Sequence, residues 1–118
     1  MLYLYFMKMQ NCRFSYSNYD DSLIISCKDE NENVKNNFSL GNFIFSLTRR
    51  GKIVGIQVLE TSEVLSDYNL KPELLNELKN VDLIIENKDG AIMMALLFSF
   101  NDKEGKITLP LMNTPIIA

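Results

Sequence analysis

The residues best suited to chemistry fall into four small groups. Asp20 and Asp21, with Asp29, Glu30 and Glu32 close behind, are the main local concentration of carboxylates, and carboxylates gathered near a chain reversal can hold a hard cation such as Ca2+ or Mg2+. Turn chemistry already accounts for Asp20-Asp21, and solvation for the other three. Cys12 and Cys27 could meet as a redox-sensitive pair or as two soft metal ligands. Two thiolates without histidine do not make a zinc site, and the residue type favours buried free thiols that act as small apolar groups. Arg49, Arg50 and Lys52 surround Gly51 in a basic turn that suits phosphate or a carboxylate partner. No aromatic residue is interleaved with them, so a solvated turn is the simpler expectation. Tyr16, Tyr19, Asp21 and Glu60 are the polar groups that would line a pocket between a helix and a sheet.

What is missing narrows the chemistry further. The chain has no histidine, the side chain most often used for proton transfer near neutral pH and a frequent metal ligand. No nucleophile and base stand in a legible pair, so no enzyme and no cofactor are expected.

These groups must be positioned by strands. Residues 12–16 alternate apolar and polar, residues 17–21 are turn formers, and Leu23-Ile24-Ile25 follows; the pattern predicts a hairpin. With the shortest loop, Tyr16 falls beside Leu23, Phe14 beside Ile25 and Cys12 beside Cys27, all on one face. Residues 28–37 (KDENENVKNN) are polar and predict an exposed loop. A second hairpin is expected from residues 38–47 about Gly41-Asn42, with Arg49-Arg50-Gly51-Lys52 turning into the β-branched strand 53–59. Thr61 or Ser62 can cap a short helix that Tyr68-Asn69 interrupts. Pro72, with Leu74, Leu75 and Leu78 at helical spacing, predicts an amphipathic helix of two or three turns. The third hairpin runs through residues 81–86, the tight turn Asn87-Lys88-Asp89-Gly90 and residues 91–100; a turn at 101–105 leads into 106–109. An extended tail, 111–118, closes the chain. Residues 2–7 predict an edge strand, although Met7 and Met9 are alternative start positions.

The 118 residues, 47% of them hydrophobic, fit one domain: a family-like hairpin unit at 14–62, a helical connection at 63–80, a second hairpin set at 81–110 and the tail. A net charge of -3 gives no reason to expect nucleic acid as a partner. The apolar leader 1–9 is too short to span a bilayer and lacks the marks of a signal peptide, so no membrane partner is expected. Two cysteines are too few for a disulfide scaffold, which leaves a reducing, cytoplasmic setting as the default.

The segments Tyr16-Ser17-Asn18-Tyr19-Asp20-Asp21-Ser22-Leu23-Ile24-Ile25 and Gly51-Lys52-Ile53-Val54-Gly55-Ile56-Gln57-Val58-Leu59-Glu60-Thr61-Ser62 resemble a family of small proteins filed as domain of unknown function number 2283. The resemblance covers residues 14–62 and implies a hairpin fold. The family's acidic run before the glycine is replaced by Ser46-Leu47-Thr48-Arg49-Arg50, and only Asp21 keeps an acidic position. Some relatives look like partners of small toxins, so the resemblance implies an antitoxin-like, protein-binding role.

The fold expected is α+β and mostly antiparallel β: a sheet of successive hairpins with one or two short helices on one face. Residues 91–100 (AIMMALLFSF) are apolar on both alternating faces, and one helix layer covers only one side. The other side is then free for self-association or for a small protein partner, through an apolar sheet face or a strand edge. The competing expectation is a small-molecule or metal-binding domain.

Overall fold

The computed structural model describes residues 5–88 and 91–109. Eight strands, β1 (Tyr5–Ser17), β2 (Ser22–Ser26), β3 (Asn36–Leu40), β4 (Phe43–Leu47), β5 (Ile53–Val58), β6 (Asn80–Lys88), β7 (Ala91–Ser99) and β8 (Glu104–Thr108), are ordered β3-β4-β5-β2-β1-β6-β7-β8 with every neighbour antiparallel. Between β5 and β6 lie helix α1 (Thr61–Asp67) and a 3-10 helix, Pro72–Glu77.

The predicted first hairpin has its predicted register: Tyr16 opposes Leu23 and Phe14 opposes Ile25. The 13-residue β1 does more than the sequence pattern suggested. Its N-terminal part, from Tyr5 to Cys12, pairs with β6, and only Arg13 to Ser17 pair with β2. One strand therefore changes neighbours along its length and joins two sheets. The short edge strand expected at 2–7 is, in its described part, the start of this strand; residues 2–4 lie outside the described residues.

The register across the sheets aligns side chains in rows that all face inward. One row runs Phe38, Phe45, Ile56, Ile25, Phe14, and another runs Val81, Phe98 from opposite Cys12. Both rows build a single buried cluster, with Phe38 and Phe14 packed against it half-buried, and Val64 and Leu65 of α1, Leu70 and Leu75 join it. The curled sheet thus wraps one core. Phe45 stacks on Phe38 at 5.0 Å and on Phe43 at 6.1 Å between ring centres, giving the core its aromatic end.

Turns follow from residue type. Leu40 opposes Phe43 across the two-residue loop Gly41-Asn42, where Gly41 has φ +58° as a tight hairpin turn requires. The turn predicted at Asp89-Gly90 lies outside the described residues, but Lys88 pairs with Ala91 on either side of it.

Two expectations are corrected. The helix predicted from Pro72 is a six-residue 3-10 helix ending at Glu77, too short for amphipathic spacing alone to sustain as an α-helix. Gly105 belongs to β8, opposite Phe98, rather than to the preceding turn, and it lies against Leu70. A Cβ on Gly105 would lie 2.5 Å from Leu70 Cδ1, and Leu70 is buried. Gly105→Ala is expected to cost about 1 kcal/mol through forced repacking. In Leu70→Ala the same substitution should cost less, so that a urea-unfolding double-mutant cycle gives a coupling of favourable sign.

Candidate functional site

Among the described residues, Asp21 is the polar residue with the most hydrogen-bond partners. It ends the turn after β1 in the left-handed region, φ +54°, a conformation aspartate tolerates. Its carboxylate accepts hydrogen bonds from the Tyr16 hydroxyl at 2.6 Å, from the Ser62 hydroxyl at 2.9 Å and from the Ser62 N–H at 3.1 Å. Its carbonyl accepts the Thr61 N–H at 3.0 Å. Helix α1 begins after Glu60, whose side chain makes no capping bond. Asp21, from the far side of the β1–β2 loop, therefore does the work of an N-cap.

The electrostatics agree with this role. Partial burial pushes the Asp21 carboxyl up, but the bonds donated by Tyr16 and Ser62 outweigh it, and the net shift is downward. Burial, with Asp21 next, holds the Tyr16 hydroxyl above its ordinary range. Glu60 lies on the exposed side of the same helix start and, by hydrogen bonding first and charge second, raises the carboxyl of Glu63. Tyr19 is fully exposed, at 100%. Of the expected pocket group, Tyr16 and Asp21 meet, and they are spent on each other and on Ser62.

The acidic group does not converge. Asp20 and Glu30 are exposed, while Glu32 receives Lys52 Nζ at 2.6 Å, with Asp29 at 3.8 Å from the same nitrogen. Lys52, then the Asp29 N–H, hold the Glu32 carboxyl below its usual range. Among the described residues no three His, Cys, Asp or Glu side chains are grouped to hold a metal ion. Arg49 and Arg50 are exposed at the turn between β4 and β5.

Cys12 and Cys27 correct an expectation. They are joined by a disulfide, with Cα atoms 4.5 Å apart. The register that brings them opposite each other was legible, but the preference of cysteine for burial led to free thiols instead. They are buried and bonded.

The outer side of the β1-β6-β7-β8 part of the sheet carries one group of exposed apolar side chains. Met9 opposes Ile84, Ile84 opposes Ala95, and Met7 opposes Glu86, which opposes Met93. Met7, Met9 and Met93 are 49%, 51% and 45% exposed around the buried Ile84 and Ala95. A recess of about 40 Å³ opens between Ile84, Met93 and Ala95, and the Lys106–Glu86 pair, at 3.7 Å, borders it. Methionine is unbranched and polarisable, and it suits an adaptable contact surface. Tyr5 to Asn11 have β6 as their one strand neighbour among the described residues, so an edge of β1 runs beside this face. The apolar run at 91–100 pointed to this surface and the edge strand expected at 2–7 to part of the edge; its extent to Asn11 depends on where β1 changes partner.

Comparison with protein-family models, curated proteins and solved structures gives no match. No helix among the described residues is long and apolar enough to cross a membrane.

Proposed function

We propose that the protein is a non-enzymatic interaction module that associates with a second copy of itself through the methionine face and the adjoining edge of β1. The observation that carries this reading is the coincidence of the two features: Met7 and Met9 stand on the stretch of strand that has β6 as its one strand neighbour among the described residues. An antiparallel strand edge is self-complementary about a two-fold axis, so the same strand of a second copy can extend the sheet while the methionines cover each other. In this arrangement α1 and the 3-10 helix serve the inner face and leave the outer one for the partner.

Membership of the family of domain of unknown function 2283 over residues 14–62, with an antitoxin-like role, is one version of the proposal. It is supported by the adjacency of the two similar segments: β2 pairs with β5, and Asp21 bonds Ser62. A small protein partner would then occupy the surface in place of the second copy. We place the module in the cytoplasm, where reductants would act on the Cys12–Cys27 bond; differential alkylation and mass spectrometry of protein trapped in cells reads its state. The alternative, a small-molecule or metal-binding domain, would show as ligand-dependent thermal stabilisation of a monomer.

Sedimentation equilibrium tests the proposal. The wild-type chain is expected to dimerise reversibly, and Met9→Lys/Met93→Lys to weaken the dimer at least about tenfold with unchanged circular dichroism. A wild-type chain that stays monomeric at every concentration, or a dimer indifferent to both lysines, would overturn it.

A further inference from the structure

We infer that the basic turn between β4 and β5 forms one wall of a binding groove for a small polyol carrying two or more phosphate groups. Four of the twelve lysines and arginines, Lys35, Arg49, Arg50 and Lys52, line one depression of about 740 Å³. That volume suits a small organic ligand rather than a single inorganic ion. The groove is held in shape by its own backbone. The Lys35 N–H donates to the Leu47 carbonyl at 2.8 Å, and the Thr48 N–H to the Lys52 carbonyl at 2.9 Å. The Lys52 N–H reaches Thr48 Oγ1 at 3.2 Å.

Charge selects the ligand. The lining carries four cations and one carboxylate, that of Glu32, which leaves three net positive charges on a chain whose total is -3. Glu32 does not compete for the cations that matter: one of its oxygens accepts the Asp29 N–H and the other holds Lys52. Arg49 and Arg50 form no salt bridge among the described residues. Two adjacent guanidinium groups offer forked donors that match phosphate oxygens, and a positive well on an acidic protein concentrates anions. No aromatic side chain lines the groove, so a nucleobase finds no stacking platform. The carboxamides of Asn31 and Asn33 and the Thr48 hydroxyl are instead the groups that recognise hydroxyls.

Phosphate binding and dimerisation are separable, because the groove lies on the β4–β5 turn and the loop before β3, whereas the methionine face is on β1, β6 and β7. Calorimetric titration of the full chain with fructose 1,6-bisphosphate, and separately with pyrophosphate, at physiological salt decides it. Saturable binding is expected for both, tighter for the bisphosphate because only it presents hydroxyls. Arg49→Ala/Arg50→Ala should weaken binding at least about tenfold without lowering the melting temperature, since both side chains are exposed. Lys79→Ala/Lys103→Ala, at exposed positions elsewhere, should leave it unchanged. Absence of heat with both compounds, or equal losses in the two double variants, would overturn the assignment; preference for pyrophosphate would overturn its polyol part.

Discussion

Reduction of the Cys12–Cys27 bond is expected to lower the free energy of unfolding by about 3 kcal/mol, the chain-entropy value for a loop of roughly 15 residues; the two cysteines are separated by 15 positions. The position of the bond makes the loss structural as well as entropic. Cys12 is the last residue of β1 registered on β6, opposite Val81, and Arg13 is the first registered on β2, opposite Ser26. The bond therefore clamps the point where the strand passes from one sheet to the other. Two other interactions hold that point: the Gln10 carboxamide donates to the Cys27 carbonyl at 2.6 Å, and the Cys27 N–H to the Val54 carbonyl at 2.9 Å. They should keep the reduced protein folded. Urea unfolding with and without dithiothreitol measures the difference, and Cys12→Ala/Cys27→Ala should be insensitive to the reductant. Identical midpoints for the oxidised and reduced wild-type chain would refute the clamp.

The same junction shows what a local pattern can and cannot reveal. Alternation in residues 12–16 and 23–25 fixes which side chains face each other once the loop length is set, so Tyr16–Leu23 and Phe14–Ile25 were legible. Gly41-Asn42 was legible as a turn for the same reason, since its requirement for a positive φ is local. The length of β1 was not, because Tyr5 to Asn11 become strand only by pairing with β6, which begins at Asn80. Gly105 looked like turn punctuation; its real constraint is the bulk of Leu70, 35 positions away. Of the candidate site residues, Tyr16 and Asp21 were named as polar contributors to a pocket; the structure brings them together, and their common partner, Ser62, lies 41 positions beyond Asp21. Arg49 and Arg50 were visible as a basic turn, whereas the groove they line also needs Lys35 and Asn33, delivered by a loop whose polarity marked it only as exposed.

That long-range contact makes Asp21→Ala the most informative single substitution, with an expected loss of about 2–3 kcal/mol: an N-cap is worth roughly 0.5–2 kcal/mol and a hydrogen bond to a charged group roughly 1.5–3 kcal/mol, and the contributions overlap. Three donors, two from Ser62 and one from Tyr16, lose their acceptor at once, and α1 has no side-chain cap of its own. Asp21→Asn should lose less, because a carboxamide oxygen still accepts one or two of these bonds. The pH dependence separates charge from geometry. The folded Asp21 carboxyl lies below its ordinary value of 3.8, so its stabilisation is fully present above that value and disappears as pH falls through the lower folded value. Wild-type unfolding midpoints in urea should therefore fall on acidification below about pH 4, and the fall should be shallower in Asp21→Asn. Tyr16→Phe, which removes one donor and leaves the Ser62 bonds, should retain most of the acid limb. An Asp21→Asn protein as stable as wild type at neutral pH, with an unchanged acid limb, would mean that α1 is held by the packing of Val64 and Leu65 alone and that the carboxylate contributes nothing to its start.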